Sequence, residues 1–414
     1  MTTLFAPLLA CTTPAIAPGN ATSIPSHGRA VVHSAGTQIV DGDEQPLKLR
    51  CVNIDGWLQP IPYLISDSGH ALFISPNEFA SRLDEAVGEE KAAAFWLDYR
   101  DSFITEADFE RIAELGFNCA RLPLYHRYAD EDALARVETA LSWGQEHGVY
   151  IVLDLHSVPG GQNALPTVSD VPRDAAVAEL WEGENASSNQ DETVAMWGML
   201  AARFAGQPAL AGYDLMNEPA LPSGVDPADL PALYARIIEA VRQVDSLHMV
   251  FVEGDDLAHD FSEFTTPLDP NMAYEFHAYA LTGFEGWANP GPADIEAYLI
   301  LRTTHDRPLW LGEFGEQTIG WQTDVIELVE GEDIGWALYP WKRKQTWFYN
   351  PVLQRIRPTP AWYALADFLA QPSGGSLPAP SLAEAEAGMA ELLDAVALDQ
   401  CTEDGATANA LFGL

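Results

Sequence analysis

Residues 211–253, AGYDLMNEPALPSGVDPADLPALYARIIEAVRQVDSLHMVFVE, decide how this 414-residue chain folds. The apolar runs at 211–217 and 248–253 read as two strands. Between them Asp226 stands as a helix cap with Pro227 at the first helical position. Leu230, Leu233, Ile237, Val241 and Val244 then fall on one face of a 3.6-residue period. The alternation continues outward in both directions. Strand-like runs at 47–54, 117–122, 149–155, 273–279, 308–313 and 334–340 bring the count to eight. Helical segments separate them, such as TEADFERIAELG, with Thr105 as cap, Asp108 three residues on, Phe109, Ile112 and Ala113 on one face, and Gly116 as the stop. Strand and helix alternating eight times predict an α/β chain folded as a parallel (β/α)8 TIM barrel. A doubly wound open sheet is the alternative, but no GxGxxG or GxxxxGK[ST] follows any strand.

The ends of the chain differ from its middle. MTTLFAPLLAC closes on Leu8-Leu9-Ala10-Cys11, which looks like a lipoprotein cleavage box and makes Cys11 a candidate for a lipid anchor. On that reading the protein is extracytoplasmic (periplasmic, lipid-anchored or secreted). No Lys or Arg precedes the run, and the protein is cytoplasmic if the segment is not a signal. Residues 1–28 are read as this signal-like, flexible segment, with a tether over Thr12–Ser26. The barrel spans 29–370. It opens with an N-terminal hairpin in RAVVHSAGTQIVDGDEQPLKLRCVNI, whose turn is placed at Asp41-Gly42-Asp43. Residues 371–414 form a linker and a C-terminal helical tail. Ser381 and Glu384 make a capping box there, and the helix is expected to pack outside the barrel without chemistry.

Composition narrows the function. Lys plus Arg total 21 against 61 Asp plus Glu, a formal charge of −40. Such a surface repels phosphate backbones and anionic lipid, which argues against a nucleic-acid partner and against peripheral membrane docking. Four Cys do not make a disulfide framework, and no CxxC pair suggests zinc. No apolar run reaches the roughly 18 residues of a membrane helix.

In a parallel barrel the chemistry sits at the C-terminal ends of the strands. Those ends supply Arg121, His156, Asn217 with Glu218, His277 with Tyr279, Glu313 and Trp341. Singly, each has an ordinary structural explanation: a hydrogen-bonded Arg or His, a carboxylate near a helix start, a core Trp. Six strands bearing them at the same end are not explained so simply. Glu218 in YDLMNEPA and Glu313 in LWLGEFGE are carboxylates in apolar settings. A pair held in opposite protonation states is what glycosidic bond cleavage needs. Arg121 is a partner able to keep one of them ionised. His277 and Tyr279, two apart on a strand, share a face.

These residues carry a resemblance. The sequence resembles glycoside hydrolase family 5, the retaining cellulase-like barrels, over about residues 30–368. YDLMNEP is similar to its strand-four signature, implying Glu218 as general acid/base, and LGEFG to its strand-seven signature, implying Glu313 as nucleophile. FHAY, RLPL, VLDLH and GWALYPWK resemble further strand ends. Through them the resemblance implies Arg121, His156, Asn217, His277, Tyr279 and Trp341 as substrate-binding residues, with Trp341 stacking under the sugar. LRCVNIDGWLQP is similar to the LRGVNLGGWL opening of the exo-1,3-β-glucanase branch, with Cys51 and Asp55 in place of small residues.

The expected function is therefore a retaining β-glycosidase acting on β-linked glucosides or glucans, in the manner of an exo-β-1,3-glucanase or β-glucosidase. Two alternatives stand beside it. One is an endo-acting β-1,4-glucanase, mannanase or glycolipid glycosidase on the same fold; the other is a catalytically silent barrel that binds carbohydrate. Retention of both carboxylates speaks against the silent barrel. No metal or organic cofactor is called for. Long connections at 55–100 and 158–192 suggest walls that turn a cleft into a pocket.

Overall fold

The computed structural model describes Ile24 and residues 31–280, 287–344, 351–372 and 375–412. Cys11 and nearly all of the tether lie outside the described residues.

Eight parallel strands close into a barrel in chain order. They are β1 (Arg50–Asn53), β2 (Cys119–Tyr125), β3 (Tyr150–Ser157), β4 (Leu210–Asp214), β5 (Met249–Glu253), β6 (Met272–Ala278), β7 (Leu309–Gly315) and β8 (Gly335–Tyr339), with β8 pairing back to β1. Every expected strand is present. Apart from Tyr150, lightly exposed at the start of β3, and Arg50 at the start of β1, these strands are buried throughout, as strands covered by helices must be. At the foot of the barrel Met249, Phe251 and Trp310 fill the interior. There β1 and β2 place Cys51 directly beside Cys119, and the two are joined by a disulfide.

Four local expectations are corrected. The hairpin pairs His33–Ala35 with Gln38–Val40, so its turn lies at Gly36-Thr37. Asp41-Gly42-Asp43 makes the next turn, where the Asp41 side chain accepts from the Asp43 and Gln45 amides. The helix after β4 is Asp229–Arg242 and starts beyond Asp226, whose carboxylate takes the Ala228 amide in a local turn that competes with the helix. Val244 falls past its end and is exposed. Finally, β5 and β6 are joined without a full helix, only the short Asp255–Ala258 turn. Phe261 and Phe264 cover that gap by packing edge-on against Tyr274.

The connection after β1 is largely helical, with Pro76–Val87 and Glu89–Phe103. It meets the connection after β3 through the Asn77 amide on Asp170 (2.8 Å) and Thr167 on the Leu72 carbonyl (2.8 Å). The two insertions thus form one joined wall at the C-terminal end of the barrel.

The tail does pack outside. Helix Leu382–Val396 begins with the Ser381–Glu384 capping box. A short strand, Thr402–Glu403, pairs with Gln354–Ile356, and the last helix sets Phe412 edge-on to Phe117. Asp108 is the fully buried anchor between tail and barrel. It takes the Lys342 ammonium at 2.7 Å, the Trp341 indole N–H at 2.9 Å and the Thr105 amide at 2.9 Å. Lys342 also donates to the carbonyls of Phe103 and Val396, the latter ending the tail helix. Asp108→Ala leaves a buried ammonium without its counter-charge, so it should cost about 3–5 kcal/mol. The check is the urea midpoint at unchanged slope; a loss below about 1 kcal/mol, as for an exposed pair, would show that Asp108 is not the anchor.

Candidate active site

Inward-facing positions of the barrel strands build a buried polar layer just below the catalytic end. Arg121 from β2 is at its centre with no solvent exposure. It donates to Asp214 (2.6 and 2.9 Å), Glu313 (2.7 Å), Asn217 (2.9 Å) and Asn53 (3.2 Å). Asp154, Glu253 and Glu275 lie within 3.1–3.4 Å of the same guanidinium. Gly312 on β7 lets Glu275 in, since a Cβ there would fall 1.6 Å from its Oε1. Asp154, Asp214, Glu253 and Glu275 were not singled out from the sequence. A signal existed: each is a carboxylate inside an apolar strand, and Asp154–His156 and Glu275–His277–Tyr279 follow the two-residue period of one face.

Above this layer Glu218 and Glu313 face each other. Oxygens of the two carboxylates and a ring nitrogen of His277 all lie within 4.8 Å of one another. Tyr279 donates to Glu313 Oε2 at 2.7 Å while Arg121 holds Oε1, so both oxygens of this carboxylate are fixed. Burial alone would raise the Glu313 carboxyl. His277, Arg121 and His156 beside it, and the Tyr279 bond, bring it below its ordinary value. His277 is likewise opposed by burial, but Glu253 and Glu313 and its bond to Glu218 hold its pKa well above the usual one. His277 is hydrogen-bonded to Glu218 at 3.0 Å and faces Glu253 at 3.4 Å.

Glu218 has a left-handed backbone, φ 49°, which is strained for a residue with a side chain. Two bonds hold it there: its amide donates to Glu253 (2.6 Å), and Asn163 donates to its carbonyl (2.7 Å). Next to it Asn217 accepts from Arg121, which leaves its amide nitrogen without a protein partner. His156, at the end of β3, is opposed by burial, yet Asp154 at 2.7 Å brings its pKa up to about 9.

Two expectations are corrected. Arg121 does not line the sugar site; it is sealed behind Glu313 with its donors taken by protein. Trp341 is no sugar platform either. It is fully buried, and its indole N–H points to Asp108, because a buried indole needs a partner for that hydrogen. The aromatic ring that the end of β8 turns toward the site is Tyr339, edge-on to Tyr279 at 6.5 Å and hydrogen-bonded to Tyr63.

Among the described residues, three groups have ligand atoms close enough for a cation: Glu106, Glu146 and His147 on the surface, and two trios that share His277. The two inner trios belong to the buried polar layer and to the facing carboxylates described above.

The lowered Glu313 carboxyl makes a pH prediction. A nucleophile must be ionised, so the acid limb of kcat/KM follows its pKa. Tyr279→Phe removes a bond to the charged form; the pKa then rises and the acid limb moves to higher pH. The rate at neutral pH should fall by about 10- to 100-fold, the worth of one hydrogen bond to a charged group. An unmoved acid limb would contradict this placement of Tyr279.

Comparison with known proteins agrees with this geometry. A family model for cellulase (glycosyl hydrolase family 5) matches residues 83–345. A "Beta-xylosidase" of Phanerodontia chrysosporium is 28% identical over 382 residues, covering 83% of this chain and 76% of the relative. A "Probable glucan 1,3-beta-glucosidase A" of Neosartorya fischeri is 30% identical over 328 residues, covering 74% and 69%. Among solved structures, a β-glucanase from Saccharophagus degradans in complex with cellotetraose aligns over 80% of this chain and 93% of that one, with a TM-score of 0.53 at 15% identity, a likeness of fold. With a family match over more than half its length and the two carboxylates at the ends of β4 and β7, the chain belongs to glycosyl hydrolase family 5.

Proposed function

We propose that this protein is a retaining β-glycosidase that releases single sugars from the non-reducing end of β-linked glucosides or glucans. The observation that supports this most is the spacing of Glu218 and Glu313, whose oxygens approach within 4.8 Å. Retaining enzymes keep their carboxyl groups about 5–5.5 Å apart, whereas inverting ones leave about 6.5–9.5 Å for a water between.

In the first step Glu313 attacks the anomeric carbon, and the glycosidic oxygen leaves with a proton from Glu218. The sugar is then an α-linked ester of Glu313. In the second step Glu218 takes a proton from water, which attacks the same carbon, expels the Glu313 carboxylate and gives the β-anomer. Asn217, with its amide nitrogen unpartnered, is set to donate to the 2-hydroxyl as charge develops. A barrel that only bound sugar would need neither carboxylate nor the grip of Arg121 and Tyr279 on one of them. The joined insertions after β1 and β3 favour a pocket over an open cleft, and so favour exo action. An endo-acting glucanase or mannanase, or a glycolipid glycosidase, would keep the same two carboxylates behind a more open face.

Proton NMR of a digest of short β-glucans tests both parts together. The first sugar expected is a monosaccharide, and its first-formed anomer is β. A ladder of oligosaccharides at early times would contradict exo action, and an α-anomer would contradict retention.

A further inference from the structure

Asp55 lies two residues beyond the end of β1. It is 1% exposed, and neither of its carboxylate oxygens has a hydrogen-bond partner. The nearest cation is His156, whose Nε2 is 4.0 Å from Oδ1, beyond hydrogen-bond reach. Tyr125 stacks obliquely on His156 at 5.1 Å, and its buried hydroxyl is also unpartnered. Three buried polar atoms without partners, from the ends of β1 and β2 and around the His156 ring of β3, are unusual in a folded protein. They lie at the catalytic end of the barrel, where β1, β2 and β3 end side by side and the His156 ring stands between Asp55 and Tyr125.

We propose that Asp55 is the specificity-determining residue of the pocket, accepting hydrogen bonds from the 3- and 4-hydroxyls of the terminal sugar beside His156 and Tyr125. This rests on the glycosidase reading above. Glu218, Glu313 and Asn217 occupy the side of the pocket that meets C1 and C2, so the group formed by β1, β2 and β3 is left for the far side of the ring. A carboxylate suits two adjacent equatorial hydroxyls, each donating to one oxygen. A sugar whose 4-hydroxyl is held there cannot be linked onward through it, which makes Asp55 a physical basis for exo action. Glucose and xylose share this 3,4 arrangement, whereas galactose turns its 4-hydroxyl to the axial position and breaks it.

The test measures kcat/KM of the wild type, Asp55→Ala and the isosteric Asp55→Asn on an aryl β-glucoside, its 3-deoxy and 4-deoxy analogues and the matching β-galactoside. Circular dichroism confirms that each variant is folded. Wild type should lose about 10- to 100-fold on each deoxy analogue, because a site built to bond a hydroxyl rejects the analogue without it. Asp55→Ala should lose about as much on the parent glucoside but little more on the analogues, and Asp55→Asn should fall between. Preference for glucoside over galactoside should shrink in both variants. A merely structural Asp55 would lower all rates by one factor and leave the deoxy penalties unchanged; that result, or an unaltered kcat/KM in Asp55→Ala, overturns the inference alone. A wild type inert on every aryl β-glycoside overturns the glycosidase reading and this inference with it.

Discussion

The guanidinium of Arg121 is enclosed by the barrel, and the polar groups below the catalytic end are arranged around it. An isolated charge there would be prohibitively unstable, so its presence demands counter-charge from several directions. Strands β3 to β7 supply it in Asp154, Asp214, Glu253, Glu275 and Glu313. Five carboxylates outnumber Arg121, even with His277 and His156 beside them. Burial pushes the pKa values of Asp214, Glu253 and Glu275 upward, and neighbouring carboxylates add to it at Asp214 and Glu275. Glu313 moves the other way because His277, Arg121, His156 and Tyr279 all favour its ionised form.

The two carboxylates proposed to be catalytic differ in their surroundings. Glu313 is nearly sealed, with a donor on each oxygen. Glu218 has 14% of its side chain exposed toward the mouth, where a leaving group and a water must come and go. Its strained backbone is held by Glu253, itself a member of the Arg121 layer, so the positions of both carboxylates trace to the same buried cation.

Much of this was legible in the sequence. Eight apolar runs appear as eight strands because a buried parallel strand needs an unbroken apolar stretch and helix punctuation on either side. That Glu218, Glu313, His277 and Tyr279 come together was legible because strand ends and a two-residue period say where side chains point. What failed depended on information that is not local. Trp341 follows Tyr339-Pro340, and nothing in the three letters says which ring turns inward. Asp214, Glu253 and Glu275 look anomalous only once Arg121 is known to stand among them. The Cys51–Cys119 bond needs the register between β1 and β2, and Asp226 lost its capping role to a turn of its own making. Asp55 stood out as a replacement for a small residue, but its unpartnered oxygens emerge only when its neighbours are in place.

The central claim is that Glu313, fixed by Arg121 and Tyr279, forms the covalent bond to the sugar. Incubation with an activated 2-deoxy-2-fluoro β-glucoside, followed by mass spectrometry of the digested protein, tests it most directly. The account predicts one sugar per chain, attached at Glu313 and released as activity returns. A label on Glu218 or any other residue, or steady turnover with no trapped sugar, would contradict it.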